Sequence, residues 1–180
     1  LLDKGYREYS IEIDPRTIER DTVALLKGVG FNRISLGIQD FDPGVQEAIN
    51  RIQPLEMIQP LVDKIRALDF RSLSFDLIYG LPHQDRHTME ETLRKVVNLR
   101  PDRIACYNYA HLPERFSSQR AIDRLTLPEP EEKLLLHEMI SHTLQDAGYL
   151  HIGMDHYVLP NDELALAQRE VAAALLQRGV

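Results

Sequence analysis

Tryptophan is absent from the 180 residues, and cysteine occurs once, at Cys106. A lone cysteine forms no internal disulfide and cannot by itself supply the several thiolates of a zinc or iron–sulfur centre. Long apolar runs are missing too: none approaches the roughly 18 residues that a membrane span needs, and no basic segment followed by an apolar stretch opens the chain. These absences argue against a membrane or secreted protein. Basic charge is in short supply, with 21 Lys and Arg against 28 Asp and Glu and a net charge of −7. No basic run interleaved with aromatics occurs, which argues against nucleic acid as a partner. The glycine fingerprint of dinucleotide folds and the Gly-x-Ser-x-Gly elbow of serine hydrolases are both missing. His137 and His142 do not share a helix face and His83 and His87 straddle a turn, so no metal site is expected from the chain's own side chains. The chain opens Leu1-Leu2-Asp3 without a methionine, and we expect it to be a piece of something longer.

What is present is a rhythm. Tyr9–Ile13, Arg33–Ile38, Leu73–Tyr79 and Arg103–Tyr109 are short runs rich in β-branched and aromatic residues and read as strands. Helical patterns separate them. Asp14-Pro15 supplies a cap and a first-turn proline for a helix ending at Gly30, and Leu55 to Leu68 gives a long helix containing Pro60. Thr88-Met89-Glu90-Glu91 reads as a capping box, a further helix starts near Pro128 or Pro130 and stops at Gly148, and a last amphipathic stretch runs from about Asp162 to Gln177. Strand–helix alternation with crossover-length connections means parallel strands, so the fold class is α/β. An open doubly wound sheet and a (β/α) barrel segment both fit. Polar residues gather at the C-terminal end of every strand, the edge on which α/β folds build sites.

Glu12 and Asp76 interrupt otherwise apolar strands, where an unpaired carboxylate would be costly to bury. They bind either ligand hydroxyls or a basic neighbour such as Arg33 or Arg103. Gln39 and Arg51 make a weaker pair: an arginine after a short helix is usually a surface residue, and a carboxylate clamp is the sharper alternative. In Gly153-Met154-Asp155-His156-Tyr157, Asp155 either orients His156 for acid–base work or merely ends a strand beside a surface histidine. The long loop from His111 to Pro128 carries Arg115, Arg120 and Arg124 and is either a functional rim loop or a solvated one.

Taken together, Ser10-Ile11-Glu12-Ile13-Asp14-Pro15, Arg33-Ile34-Ser35-Leu36-Gly37-Ile38-Gln39-Asp40-Phe41 and Phe75-Asp76-Leu77-Ile78-Tyr79-Gly80-Leu81-Pro82 resemble the middle of a radical S-adenosylmethionine (SAM) barrel. Tyr107-Asn108-Tyr109-Ala110-His111-Leu112-Pro113 and Gly153-Met154-Asp155-His156-Tyr157, with Asp162-Glu163-Leu164-Ala165 and Gln168-Arg169-Glu170, are similar to the oxygen-independent coproporphyrinogen III oxidases within that family. The resemblance implies part of a six-strand (β/α) partial barrel, about its last four strands with their outer helices. It also implies a cytoplasmic oxidoreductase of haem biosynthesis that oxidatively decarboxylates two propionates of coproporphyrinogen III to give protoporphyrinogen IX. Its implied cofactors are S-adenosylmethionine and a 4Fe-4S cluster. By position, Glu12 corresponds to the acid holding the ribose of a cluster-bound S-adenosylmethionine, and Gln39, Arg51, Asp76 and Ala110 to positions assigned to a second one. A substrate with four propionates wants cationic neighbours, for which His111, Arg115 and His156 are the candidates.

The departures from the family matter as much. The cluster motif Cys-x-x-x-Cys-x-Cys and the Gly-Gly-Thr-Pro segment are not in this chain, which leaves Cys106 as a core residue rather than a ligand. Residues 1–158 then read as a partial barrel with its C-terminal extension and 159–180 as a terminal helix whose last ten residues are unlike the family. On this reading the full-length form is a monomer with an unspecified electron donor, while the isolated chain is inactive and, with an unpaired strand edge, prone to self-association. Two alternatives come from other classes: a haem chaperone of the same barrel family, and a non-catalytic fragment acting as a binding subunit.

Overall fold

The computed structural model describes residues 7–19 and 21–177; Leu1-Leu2-Asp3 and the last three positions of the tail lie outside them. Strands β1 (Ser10–Ile13), β2 (Arg33–Gln39), β3 (Ser72–Tyr79) and β4 (Arg103–Asn108) fall on the expected runs and pair in parallel in that order. A parallel sheet covered on both faces has nearly continuous apolar strands. These strands alternate instead. Ile34, Leu36, Leu73, Phe75, Leu77 and Ile104 are fully buried on one face, in a single core with Val23, Ile58, Val62, Met89, Leu93, Leu136 and Ile140 from the helices. The other face carries Ser10, Arg33, Ser35, Ser72, Ser74, Asp76, Arg103, Ala105 and Tyr107 around a cavity of about 260 Å³. A doubly wound sheet would have two apolar cores; one core and one polar concave face make this a barrel segment with its lumen.

The helices are α1 (Thr22–Val29), α2 (Pro43–Ala48), α3 (Leu55–Ala67), α4 (Arg86–Leu99), α5 (Pro130–Asp146) and α6 (Glu163–Gln177). Two starts differ from the sequence expectation. Asp14 caps only a 3-10 turn, Pro15–Thr17, because its carboxylate is engaged by the backbone N–H and guanidinium of Arg16, and Ile18 then turns extended; α1 begins at Thr22. In α4 the capping residue is Asp85, and Thr88 is the third helical residue that completes the box, so the helix starts earlier than its apolar pattern suggests. Pro60 is accommodated inside α3 on its exposed side, where water can take the carbonyl it leaves unpaired.

An unexpected hairpin completes the sheet. Strands β5 (Leu150–Gly153) and β6 (His156–Val158) are joined by a Met154-Asp155 turn, with positive φ at Gly153 (125°) and Met154 (51°). β6 adds antiparallel to β4, giving the order β1-β2-β3-β4-β6-β5. The floor of the lumen is closed by ion pairs to the start of α6: Arg33 Nη2 lies 2.5 Å from Glu163, Arg71 also meets Glu163, and Arg103 Nε lies 2.9 Å from Asp162. Arg33 and Arg103 are therefore committed to the floor and are not the partners of Glu12 or Asp76. No helix among the described residues is long and apolar enough to cross a membrane.

The loops at the C-terminal ends of β2 and β3 are tied together by a buried acid. Asp40, fully buried, accepts hydrogen bonds from Asp42 N (2.6 Å), Thr92 Oγ1 (2.6 Å) and Gln84 Nε2 (2.5 Å). Gln84 in turn donates to Ile78 O and accepts from the backbone of Gly80 and Leu81. Asp40, read from sequence as a rim residue, is thus the internal brace of the rim.

Candidate functional site

Strand register sets one row of the lumen: Gly37 on β2 pairs with Asp76 on β3, Asp76 with Ala105 on β4, and Ala105 with His156 on β6. Two of these positions project little or nothing, which leaves room above them. Over Gly37 the room is taken by two polar side chains, since a Cβ there would lie 2.7 Å from Gln39 Nε2 and 2.8 Å from Arg51 Nη2. Gln39 reaches back over Gly37 because β2 bulges between the two, with Gln39 at φ 65°. Arg51 follows α2 on a turn locked by two buried glutamines. Gln46 donates to Asp40 O (2.9 Å) and Gln53 O (3.0 Å), and Gln53 donates to Gly37 O (2.9 Å) and to Ile38 O.

Arg51 is half-buried and incompletely paired. Its Nη2 donates to Gly37 O (3.0 Å) and its Nη1 lies 3.3 Å from Asp14, while Nε is buried without an acceptor. Burial holds the guanidinium below its ordinary value, with Asp14 and Glu12 opposing that shift and Arg16 reinforcing it. A buried donor with no acceptor and a desolvated cation are the conditions under which an incoming carboxylate gains most. Asp76 accepts from Ser35 Oγ at 2.8 Å, and its carboxyl is raised by burial, opposed by that hydrogen bond, and raised further by Glu12. The carboxylate is held in one orientation with acceptor capacity to spare. Glu12 lies on the edge strand and is exposed, so the sequence argument from the cost of burying it does not apply.

The structure brings Glu12, Gln39, Arg51 and Asp76 to one end of the lumen. Ala110 lies on the loop beyond β4, exposed, with its carbonyl accepting from Gln119 Nε2. The three cationic candidates are split. His156 lines the lumen, its ring T-shaped against Tyr107 at 6.2 Å, and no hydrogen bond joins it to Asp155, whose carbonyl instead accepts from Cys106 N. His111 meets the Tyr109 hydroxyl at 3.2 Å and borders a separate cavity with Arg124 and Lys133, and Arg115 is exposed on the same loop. The sequence reading missed Ser35, Gln46 and Gln53; two glutamines flanking an arginine after a short helix were the available signal.

These residues fit a ligand with a carboxylate at one end and hydroxyls at the other, as S-adenosylmethionine has. They do not fit an iron–sulfur cluster. Cys106 is buried in the core with its thiol pushed up by burial, and the described residues hold no group of three or more His, Cys, Asp or Glu placed for a metal.

A family model described as the radical SAM superfamily matches residues 1–96. The chain is 49% identical over 170 residues to the oxygen-independent coproporphyrinogen III oxidase of Pseudomonas aeruginosa, covering 94% of this chain and 37% of that protein. It is likewise 49% identical over 164 residues to the Escherichia coli protein of the same name, covering 91% and 36%. It thus spans little more than a third of the length of these curated relatives. The solved structure of coproporphyrinogen III oxidase from Escherichia coli, a radical SAM enzyme, superposes with a TM-score of 0.88 at 48% identity, over 91% of this chain and 38% of that one. A radical S-adenosylmethionine methyltransferase from Kitasatospora setae shares the fold alone, with a TM-score of 0.53 at 14% identity over 57% of this chain and 20% of that one. With more than half its length matched by the superfamily model, and a fold that superposes closely on a radical SAM enzyme, this chain belongs to the radical SAM superfamily.

Proposed function

We propose that this chain is the S-adenosylmethionine- and tetrapyrrole-binding part of a cytoplasmic oxygen-independent coproporphyrinogen III oxidase, an oxidoreductase of haem biosynthesis. The observation that carries the reading is the unsatisfied Arg51 guanidinium, lying with Gln39 over Gly37 beside Asp76, in a chain close in sequence to such oxidases. Bound S-adenosylmethionine, reductively cleaved by a cluster held outside this chain, would supply hydrogen abstraction from a substrate propionate, which would leave a vinyl group on losing carbon dioxide and giving one electron to an acceptor. The chain's own residues bind and orient. Arg51 and Gln39 take the methionine carboxylate, and Asp76, fixed by Ser35, takes ribose hydroxyls. Glu12 serves a second ribose, and Ala110 leaves room for an adenine to approach the backbone. His111 and Arg115 from the rim loop and His156 from the lumen neutralise substrate carboxylates.

The test is a segment exchange: residues 7–170 of this chain replace the matching stretch of the Pseudomonas aeruginosa enzyme, and anaerobic conversion of coproporphyrinogen III is assayed. Conversion within about tenfold of the parent supports the reading; a folded, S-adenosylmethionine-binding chimera that converts nothing contradicts it. The isolated chain is inactive on this reading, because its residues do not fit a cluster. The open outer edge of β1 also leads us to expect self-association of the isolated chain. A monodisperse monomer in analytical ultracentrifugation would argue against that expectation.

A further inference from the structure

The lumen site is electrically lopsided. Arg51 and Gln39, over Gly37 on β2, make one side cationic and donor-rich, whereas Asp76 on β3 makes the side toward β4 acidic. On that acidic side stands Tyr107, on β4 two residues beyond Ala105, 42% exposed although Ala105 and Cys106 before it are buried. Its hydroxyl has no hydrogen-bond partner among the described residues, and the T-shaped contact with His156 holds the ring upright at the lumen wall. Burial first, then Asp76, Glu12 and Asp155, push the Tyr107 phenol above its ordinary value.

We propose that Tyr107 binds the sulfonium of S-adenosylmethionine, its ring face and the Asp76 carboxylate forming a cation subsite opposite the Arg51 carboxylate clamp. The inference rests on the proposed S-adenosylmethionine site and adds the element that distinguishes the charged cofactor from its neutral thioether product. The Arg51 guanidinium lies over Gly37 on β2, and β2 and β4 are two strand spacings apart, roughly 10 Å, a span covered by a hydrogen bond to Arg51, the methionine chain and a ring contact of up to about 6 Å together. A ring face within about 6 Å of a desolvated cation contributes of order 1–2 kcal/mol, which corresponds to a five- to thirtyfold preference for the cation.

Calorimetric titration of the full chain with S-adenosylmethionine and with S-adenosylhomocysteine tests this in three proteins. The wild type is expected to prefer the sulfonium by about tenfold, Tyr107→Phe to keep that preference, and Tyr107→Leu to lose most of it while its affinity for the homocysteine compound changes less than threefold. A Tyr107→Leu protein that keeps the preference assigns it to the Asp76 carboxylate alone and overturns the proposal, as does a wild type that binds both compounds equally. If the wild type binds neither, the S-adenosylmethionine site itself fails and the subsite goes with it. Circular dichroism of the variants confirms that the comparison is made between folded proteins.

Discussion

Replacing Arg51 with glutamine is expected to weaken S-adenosylmethionine binding about a hundredfold while leaving stability nearly unchanged. Charge-assisted hydrogen bonds to a carboxylate in a partly desolvated site are worth about 1.5–3 kcal/mol, and glutamine keeps a donor but not the charge or the fork. Stability should hold because the groups that Arg51 touches have other partners. Gly37 O keeps its hydrogen bond from Gln53, and Asp14 keeps its bidentate contact with Arg16. Removing a desolvated cation with an orphaned Nε also relieves the fold of an uncompensated group. Titration of the variant checks the point: affinity within threefold of the wild type would mean that the guanidinium does not hold the ligand.

Asp40→Ala is expected to destabilise the chain by about 3–5 kcal/mol. The carboxylate is the shared acceptor of three donors in a site without water access, and its loss strands Thr92 Oγ1, Gln84 Nε2 and Asp42 N. The damage should spread beyond the cavity. Thr92 Oγ1 also receives Phe41 N, and Gln84 fixes the backbone at Ile78, Gly80 and Leu81, so the loops after β2 and β3 lose their common brace. Burial raises the Asp40 carboxyl, so part of its stabilisation is offset by the cost of keeping it charged. Urea unfolding with an unchanged slope is the check, and a loss below about 1 kcal/mol would show the network to be replaceable by solvent.

Much of this architecture is visible in the residues, for physical reasons that also explain the gaps. The four parallel strands announce themselves because Ile34, Leu36, Leu73, Phe75 and Ile104 recur with period two against serines and charges. That same alternation holds the evidence for a lumen, since a parallel sheet with a polar face must line a cavity. The β5–β6 hairpin is illegible because strands of three and four residues carry too little pattern to stand out. Helix starts slip where the cap is not the expected one: an earlier acid, Asp85, caps α4, and the Arg16 guanidinium engages the Asp14 carboxylate expected to cap α1. At the site, spacing alone leaves Arg51 more a surface arginine than a carboxylate clamp, and the family resemblance assigns it to a ligand. What brings Arg51 inward is tertiary: Gly37 leaves the space, the bulge at Gln39 shapes it, and Gln46 with Gln53 ties the turn in place. None of these is a local propensity, and the only trace in the sequence is the pair of glutamines that flank Arg51.

The central claim is that this chain folds its own S-adenosylmethionine site in the lumen of a barrel segment. The most direct measurement is an isothermal titration of the purified 180-residue chain with S-adenosylmethionine in the absence of any iron or sulfide. The account predicts saturable binding that Arg51→Gln abolishes at the same ligand concentrations. A folded chain that shows no saturable heat, or one that binds equally well without Arg51, would contradict it.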